Sequence, residues 1–322
     1  MRPAQPSAGP RLAALGDLLL DVVVAPERPI ERGTDVPGTV AFRRGGSAAT
    51  TAVAFARSGG EATLITSLGK DALATRLLAS MRDDGVRVRA VRVTDPSGRL
   101  AALIDAGGER SFVTQRGAAD RLEAADIKPA WLRAIDVLHV PAYSLLAEPI
   151  GSAAMRAVEM ARSNSAIVSV DLSSAGPLRD FGIRRSKARL RELEPDVIFA
   201  NRDEAAVVAG RPGMRAWPRL LGLAPLVIVK DGAAGCRVLQ RGADAALTQL
   251  DVAARRVGNV DSTGAGDAFA AGFLYALLSG SSGRAREAGR GWSATALRRA
   301  ALAGHRSAAD ALLRPRTPIS LG

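Results

Sequence analysis

At 322 residues and 47% hydrophobic, the chain can bury one large core or two ordinary ones, which excludes a disordered protein. Its formal charge of +12 is almost all arginine, with lysine only at 70, 128, 187 and 230, and the charges scatter over 82–99, 179–191, 211–219, 284–299 and 314–316 without interleaved aromatics, so a solvated surface is expected and no nucleic-acid partner. A lone cysteine, Cys236, excludes an internal disulfide, two histidines exclude a His-rich metal cluster, and no run approaches the ~20 apolar residues of a membrane span, so a cytoplasmic protein with no membrane partner is expected.

Residues 1–10 are Pro-rich and lack a signal-peptide core, so they read as a disordered tail before one domain over 11–322. Arg11 to Val24 reads as a strand, and 25–40, with Pro26, Pro29 and Pro37, as irregular or edge-strand structure. Gly45-Gly46 opens a helix over 47–58 that Gly59-Gly60 closes. A buried strand is expected at 62–68, a helix at 71–84, and strands at 86–93, 99–105 and 110–114, the last two joined by a Gly107-Gly108 turn. Helices at 121–134, 150–163, 186–193, 203–209 and 215–222 then alternate with apolar strands at 136–140, 166–171, 196–200 and 225–230. Short strands at 235–240 and 246–250 precede an apolar helix over 268–278 and a Gly/Ser/Arg-rich loop at 279–291. This alternation implies an α/β fold with a mostly parallel sheet covered on both faces. The segments 22–43 and 88–115 carry strands without intervening helices, which implies a small second β layer inserted into the main domain.

The chemistry concentrates in Asp261-Ser-Thr-Gly-Ala-Gly-Asp267-Ala-Phe-Ala-Ala-Gly-Phe-Leu274. Gly264, Ala265 and Gly266 let backbone come close to a ligand, and a helix N-terminus offers N–H groups to an anion. Asp267 falls in the first turn of that helix. An acid there either complements the helix dipole or takes a proton from a hydroxyl that attacks phosphorus.

Over all fourteen residues this segment resembles the second signature of the ribokinase-like, or PfkB, family of carbohydrate kinases. The resemblance implies a three-layer sandwich with a small β-sheet lid, the 264–266 backbone as an anion hole, and Asp267 as general base. Gly45-Gly46-Ser47-Ala48-Ala49-Thr50, continuing to Asp71, is similar to the family's first signature, whose glycine pair lies against the sugar. Thr50 stands where the family usually has Asn, so a single hydroxyl replaces an amide and sugar recognition must differ. Gly16 and Asp21 match the family's first strand, but Leu19 stands where ribokinases often carry Asn, which argues against ribose. A carboxylate in the apolar run 18–23 is costly unless it sits at a strand end, where Asp21 would face a ligand crevice and clasp two sugar hydroxyls. Asp17 reads equally well as structural.

By the same resemblance, Arg116 is a substrate ligand of the kind acid-sugar kinases use, the alternative being a surface arginine. Asn201 and Glu204 keep an Asn-x-x-Glu motif that orders Mg²⁺ and phosphates largely through waters, with Glu204 the metal-side acid; Asn201 also suits a helix cap. Lys230, Gly232 and Gly235 fall at the nucleotide loop, where Asp231 replaces a more usual apolar residue, and Thr263 approaches the anion hole. His305 falls where the family lines the adenine pocket, and reads equally as a helix-surface histidine; His139 ends a strand and reads as structural. The expected activity is phosphorylation by Mg-ATP of a hydroxymethyl group on a sugar or sugar-like molecule. The alternatives are a nucleoside or acidic-sugar kinase, or a non-catalytic sugar or nucleotide sensor. A homodimer through the lid is expected, built on Leu100, Leu103, Ile104, Phe112 and Val113 and opposed by like charges at Arg43, Arg44, Arg87, Arg89 and Arg92.

Overall fold

β-Branched and leucine-rich runs of five to nine residues supply the strands, and alanine-rich amphipathic segments supply the helices that cover them. The computed structural model describes residues 9–105, 110–242, 246–254, 257–258, 262–279, 291–314 and 317–320. Expected features at 1–8, Gly107-Gly108, Asp261 and 280–290 lie outside the described residues.

In chain order the strands are β1 (Arg11–Leu15), β2 (Leu19–Pro26), β3 (Gly38–Gly45), β4 (Glu61–Gly69), β5 (Arg87–Val93), β6 (Arg99–Ile104), β7 (Arg110–Gln115), β8 (Val137–Pro141), β9 (Ile167–Asp171), β10 (Val197–Asn201), β11 (Leu226–Lys230), β12 (Cys236–Arg241) and β13 (Leu247–Val252). The α-helices are α1 (Ser47–Arg57), α2 (Ala72–Asp83), α3 (Ile150–Ser163), α4 (Ala175–Asp180), α5 (Ile183–Leu193), α6 (Arg202–Ala209), α7 (Ala265–Leu278) and α8 (Ala294–Leu313).

Among the described residues, nine strands form one sheet in the order β13-β12-β11-β10-β9-β8-β1-β4-β5. Its pairings are parallel except at β11/β12 and β12/β13. Alternate residues feed opposite faces. Leu12, Ala14 and Phe199 pack with α1, α2, α7 and α8, while Ala13, Leu15 and Ile198 pack with α3, α5 and α6. Phe199 meets Phe273 edge-on at 5.4 Å and Phe269 at 6.3 Å, which fixes α7 against β10. A second sheet, in the order β3-β2-β6-β7, forms the lid.

Several expected elements change. The run 11–24 is two strands in two sheets: β1 ends at Leu15, Gly16 bonds Ile65 O, and the chain leaves the main sheet for the lid. Asp21 therefore lies within a lid strand, and Asp17 is the acid that follows the main-sheet strand. Residues 88–93 belong to β5 at the edge of the main sheet, since β5 pairs in parallel with β4, so the lid keeps only the 99–115 part of that segment. The expected 121–134 helix is broken into short 3₁₀ turns, because Pro129 removes a donor and holds Lys128 extended. The 214–222 segment is also 3₁₀, with Pro218 inside it.

Candidate active site

The strand ends and the lid enclose a cleft of about 1050 Å³. Asp171, Asn201 and Lys230 enter it from the C-terminal ends of β9, β10 and β11, Asp17 from the β1–β2 turn, and Asp21, Leu100 and Thr114 from the lid. The N-termini of α1 and α7 meet at its floor, bringing Gly45, Gly46 and Thr50 together with Thr263, Gly264, Ala265, Gly266 and Asp267. The structure thus gathers most of the residues singled out from the sequence.

Gly264 caps α7 with a left-handed φ of 78°, which favours glycine. The Ala265 N–H already donates to Ser262 O at 3.2 Å, so among the described residues the donors left to an anion in this turn are those of Gly264, Gly266 and Asp267. A side chain at residue 266 would bring its Cβ within 3.1 Å of Lys230 Nζ, so the ammonium lies directly behind the turn. Lys230 pairs with Asp171 Oδ2 at 2.5 Å. Burial works against the ammonium charge, but Asp171 and then Glu204 outweigh it and hold its pKa above the ordinary value.

Asp267 is half-buried at the cleft, and Ser47 Oγ donates to its Oδ1 at 2.5 Å. Burial first, then the nearby Asp171 charge, push its pKa up to about 8; the Ser47 hydroxyl and Lys230 pull the other way. Glu204, 2% exposed, is pushed up to about 7 by burial and Asp171. Asn201 and Glu204 cap α6 reciprocally: Glu204 N–H donates to Asn201 Oδ1 at 2.9 Å and Asn201 N–H to Glu204 Oε2 at 2.8 Å. The capping role and a cleft-facing role coexist here.

On the lid side, Asp21 lies against the Gly45 backbone: a Cβ at 45 would fall 1.9 Å from Asp21 Oδ1. Gly46 adopts φ 104°, and a Cβ there would meet Asp17 O at 2.4 Å. Thr50 Oγ1 donates to Gly46 O at 2.8 Å, which ties the substituted position to its own helix turn. Arg116 bonds Asp120 at 2.7 Å, lies 3.4 Å from Asp17, and covers the Tyr143 ring at 5.0 Å. Asp231 pairs with Arg202 at 3.3 Å.

Gly232 lines the cleft, whereas Gly235 lies behind it, where a Cβ would meet Val252 O at 2.1 Å. His305 is also outside the lining: its Nε2 bonds Val252 O at 3.1 Å and its ring stands edge-on to Phe269 at 5.0 Å. His139 is buried on β8 with Nδ1 3.1 Å from Ser169 Oγ, and burial lowers its pKa to about 4.

Among the cleft residues not singled out from the sequence are Ser47, Tyr143 and Asp171. Asp171 carried a usable signal, an acid closing the apolar strand 167–171. Tyr143 and Ser47 carried none, since both depend on which loops the topology brings together.

A family model described as "pfkB family carbohydrate kinase" matches residues 10–313. The chain belongs to the PfkB family of carbohydrate kinases. Fructokinase-1 of Zea mays is 31% identical over 185 residues, covering 54% of this chain and 54% of that protein. The chain thus spans about half the length of the curated relatives it matches. The solved adenosine kinase of Sinorhizobium meliloti superposes with a TM-score of 0.81 at 22% identity, covering 98% of this chain and 97% of that one. The ribokinase of Thermotoga maritima gives 0.74 at 21% identity, covering 94% and 93%. These likenesses establish the ribokinase-like fold of this PfkB member, with the lid as its second sheet.

Proposed function

We propose that this PfkB protein transfers a phosphoryl group from Mg-ATP to a hydroxymethyl group of a sugar or sugar-like molecule. One observation carries the reading: Asp267, at the N-terminus of α7, shares one cleft with a lid-side acid, Asp21, and with a cationic, donor-rich wall formed by Lys230 and the Gly266 and Asp267 N–H groups.

That wall fits a triphosphate. Among the described residues no group of three or more His, Cys, Asp or Glu is arranged to hold a metal, so Mg²⁺ fits as a hydrated ion near Asn201 and Glu204. When bound, ATP supplies the phosphoryl group and Mg²⁺ offsets the charge on its phosphates. Asp267 accepts the acceptor's hydroxyl proton. The first-turn N–H groups and the Lys230 ammonium stabilise charge on the phosphoryl oxygens. Gly232 and Thr263 border the nucleotide side. Gly235 and His305 support that side from behind, His305 by its bond to Val252.

Asp21 and Thr50 bind acceptor hydroxyls beside the Gly45-Gly46 backbone. Arg116 already faces two carboxylates, Asp17 and Asp120. Asp21 adds a further acid to the same cleft. This charge balance favours an uncharged acceptor over a sugar acid, and makes Arg116 a wall of the site rather than a carboxylate clamp.

Lid and main sheet act as one kinase unit over 11–322, paired with a second copy through the lid. Among the described residues no helix is long and apolar enough to cross a membrane. We place the protein in the cytoplasm, where ATP is available. ADP release with Mg-ATP against pentoses, hexoses, sugar acids and nucleosides tests the function. Fructose, ribose and adenosine come first, because the similar proteins are named for them. Turnover of a neutral acceptor is expected; turnover of sugar acids alone would overturn the charge reading, and none at all the kinase reading.

A further inference from the structure

Asp267 is held by a residue 220 positions away in sequence, at the start of a different helix. We propose that Ser47 is a positioning residue for phosphoryl transfer: its hydroxyl fixes one carboxylate oxygen of Asp267 so that the other meets the acceptor hydroxyl. This rests on Asp267 being the base.

The seat of Ser47 is rigid. Gly46 holds a backbone conformation that L side chains rarely adopt, and Asp17 O leaves no room for a Cβ there. Asp17 then ties down the first turn of α1: Ala48 N–H donates to its Oδ1 at 3.2 Å and Ala49 N–H to its carbonyl at 3.3 Å. Thr50 Oγ1 closes the turn onto Gly46 O. This fixed backbone holds Ser47 at the cleft, with its Oγ 2.5 Å from Asp267 Oδ1. Among the described residues this is the one side-chain hydrogen bond to Asp267. It engages Oδ1 and leaves Oδ2 to take a proton.

The hydroxyl also acts on charge. Asp267 faces Asp171 from β9, Lys230 from β11 and Asp17 from the β1–β2 turn, two acids and one cation. A donor to the ionised carboxylate favours the form a base needs. The glycine pair of the first motif and the acid of the second are thereby joined through one serine.

Ser47→Ala and Ser47→Thr test this on whichever acceptor the panel identifies. With alanine, kcat should fall about 10- to 100-fold while acceptor KM changes less than about threefold; threonine, which keeps the hydroxyl, should restore most of the loss. The rising limb of the pH–kcat profile should move to higher pH with alanine. A second readout needs no acceptor: ¹³C NMR titration of protein labelled at the aspartate carboxyl, with the Asp267 signal assigned by its loss in Asp267→Asn. Ser47→Ala should move that titration up by about one pH unit. An unmoved titration overturns the inference, and so does a moved titration with wild-type kcat. If the wild-type chain phosphorylates no acceptor, the kinase reading falls and this role with it; if it turns over and Ser47→Ala matches it, the role of Ser47 alone falls.

Discussion

Desolvation, and then the Asp171 charge, push the pKa of Asp267 up to about 8, so the base proposed for the reaction holds its own proton near neutrality. Activity should therefore rise with pH, and the rising limb of kcat/KM, which reports the free enzyme, should have its midpoint near 8. A limb centred on the ordinary carboxylate range would contradict the burial. The same shift affects stability. The folded pKa lies above the ordinary 3.8, so between 3.8 and about 8 the folded chain binds more protons than the unfolded one, and stability declines as pH rises through that window. Asp267→Asn removes this cost. It should melt higher than wild type at pH 8, by on the order of 1–3 kcal/mol, with the gain vanishing near pH 4. The same variant should bind ATP yet lose phosphoryl transfer by ~10²–10⁴-fold. Thermal unfolding across pH, nucleotide titration and initial rates check the three parts separately. Lys230 has the opposite character. Lys230→Met would leave Asp171 and Glu204 buried without their cation, so a loss of about 3–5 kcal/mol is expected in urea unfolding.

At the scale of elements, α3 was legible to its ends because its alanines and branched residues recur at helical spacing from Ile150 to Ser163. The fourteen-residue motif was legible for a similar reason: the anion site and its acid are neighbours in the chain. The run 11–24 was not. Apolar residues continue through Gly16 and Asp17, and a hydrophobic pattern does not record that a chain changes sheets. Asp21 was consequently assigned to the wrong sheet, yet it still reaches the cleft because the lid folds over it. Ser47 was missed because its partner lies on a distant helix that spacing does not reveal, whereas Asp171 could have been read from its place at the end of an apolar strand. The contact between β2 and the end of β3 gives a sharp test. At residue 45 any Cβ would fall 1.9 Å from Asp21 Oδ1, while at residue 222 it would meet nothing within 4 Å. Gly45→Ala should displace Asp21 and raise acceptor KM with little change in ATP affinity, and Gly222→Ala should do neither. Asp21→Ala should reproduce the KM effect. Equal damage to nucleotide binding would show that Asp21 does not belong to the acceptor side.

For the whole molecule, the open question is what the lid does beyond covering the cleft. Its β3 edge is already engaged: Pro318 bridges Arg43, Ile319 N–H donates to Phe42 O at 2.9 Å, and Arg44 N–H donates to Thr317 O at 3.3 Å. This segment blunts one edge of the lid against further strand addition. At the other edge, β7 exposes Phe112 at 51% and Val113 at 68%, adjacent residues that point to opposite faces. The charges expected to oppose pairing are mostly elsewhere. Arg87, Arg89 and Arg92 lie on β5 in the main sheet, and Arg44 is turned inward to Asp84 at 2.6 Å. Of the five, Arg43 and Arg44 belong to a lid strand. The balance therefore favours lid-to-lid association through the β7 side. Light scattering at physiological salt and tens of micromolar protein should report a dimer, and Phe112→Glu with Val113→Glu should convert it to monomer without changing the melting temperature of the main domain. A wild-type chain that stays monomeric under those conditions rules the lid dimer out.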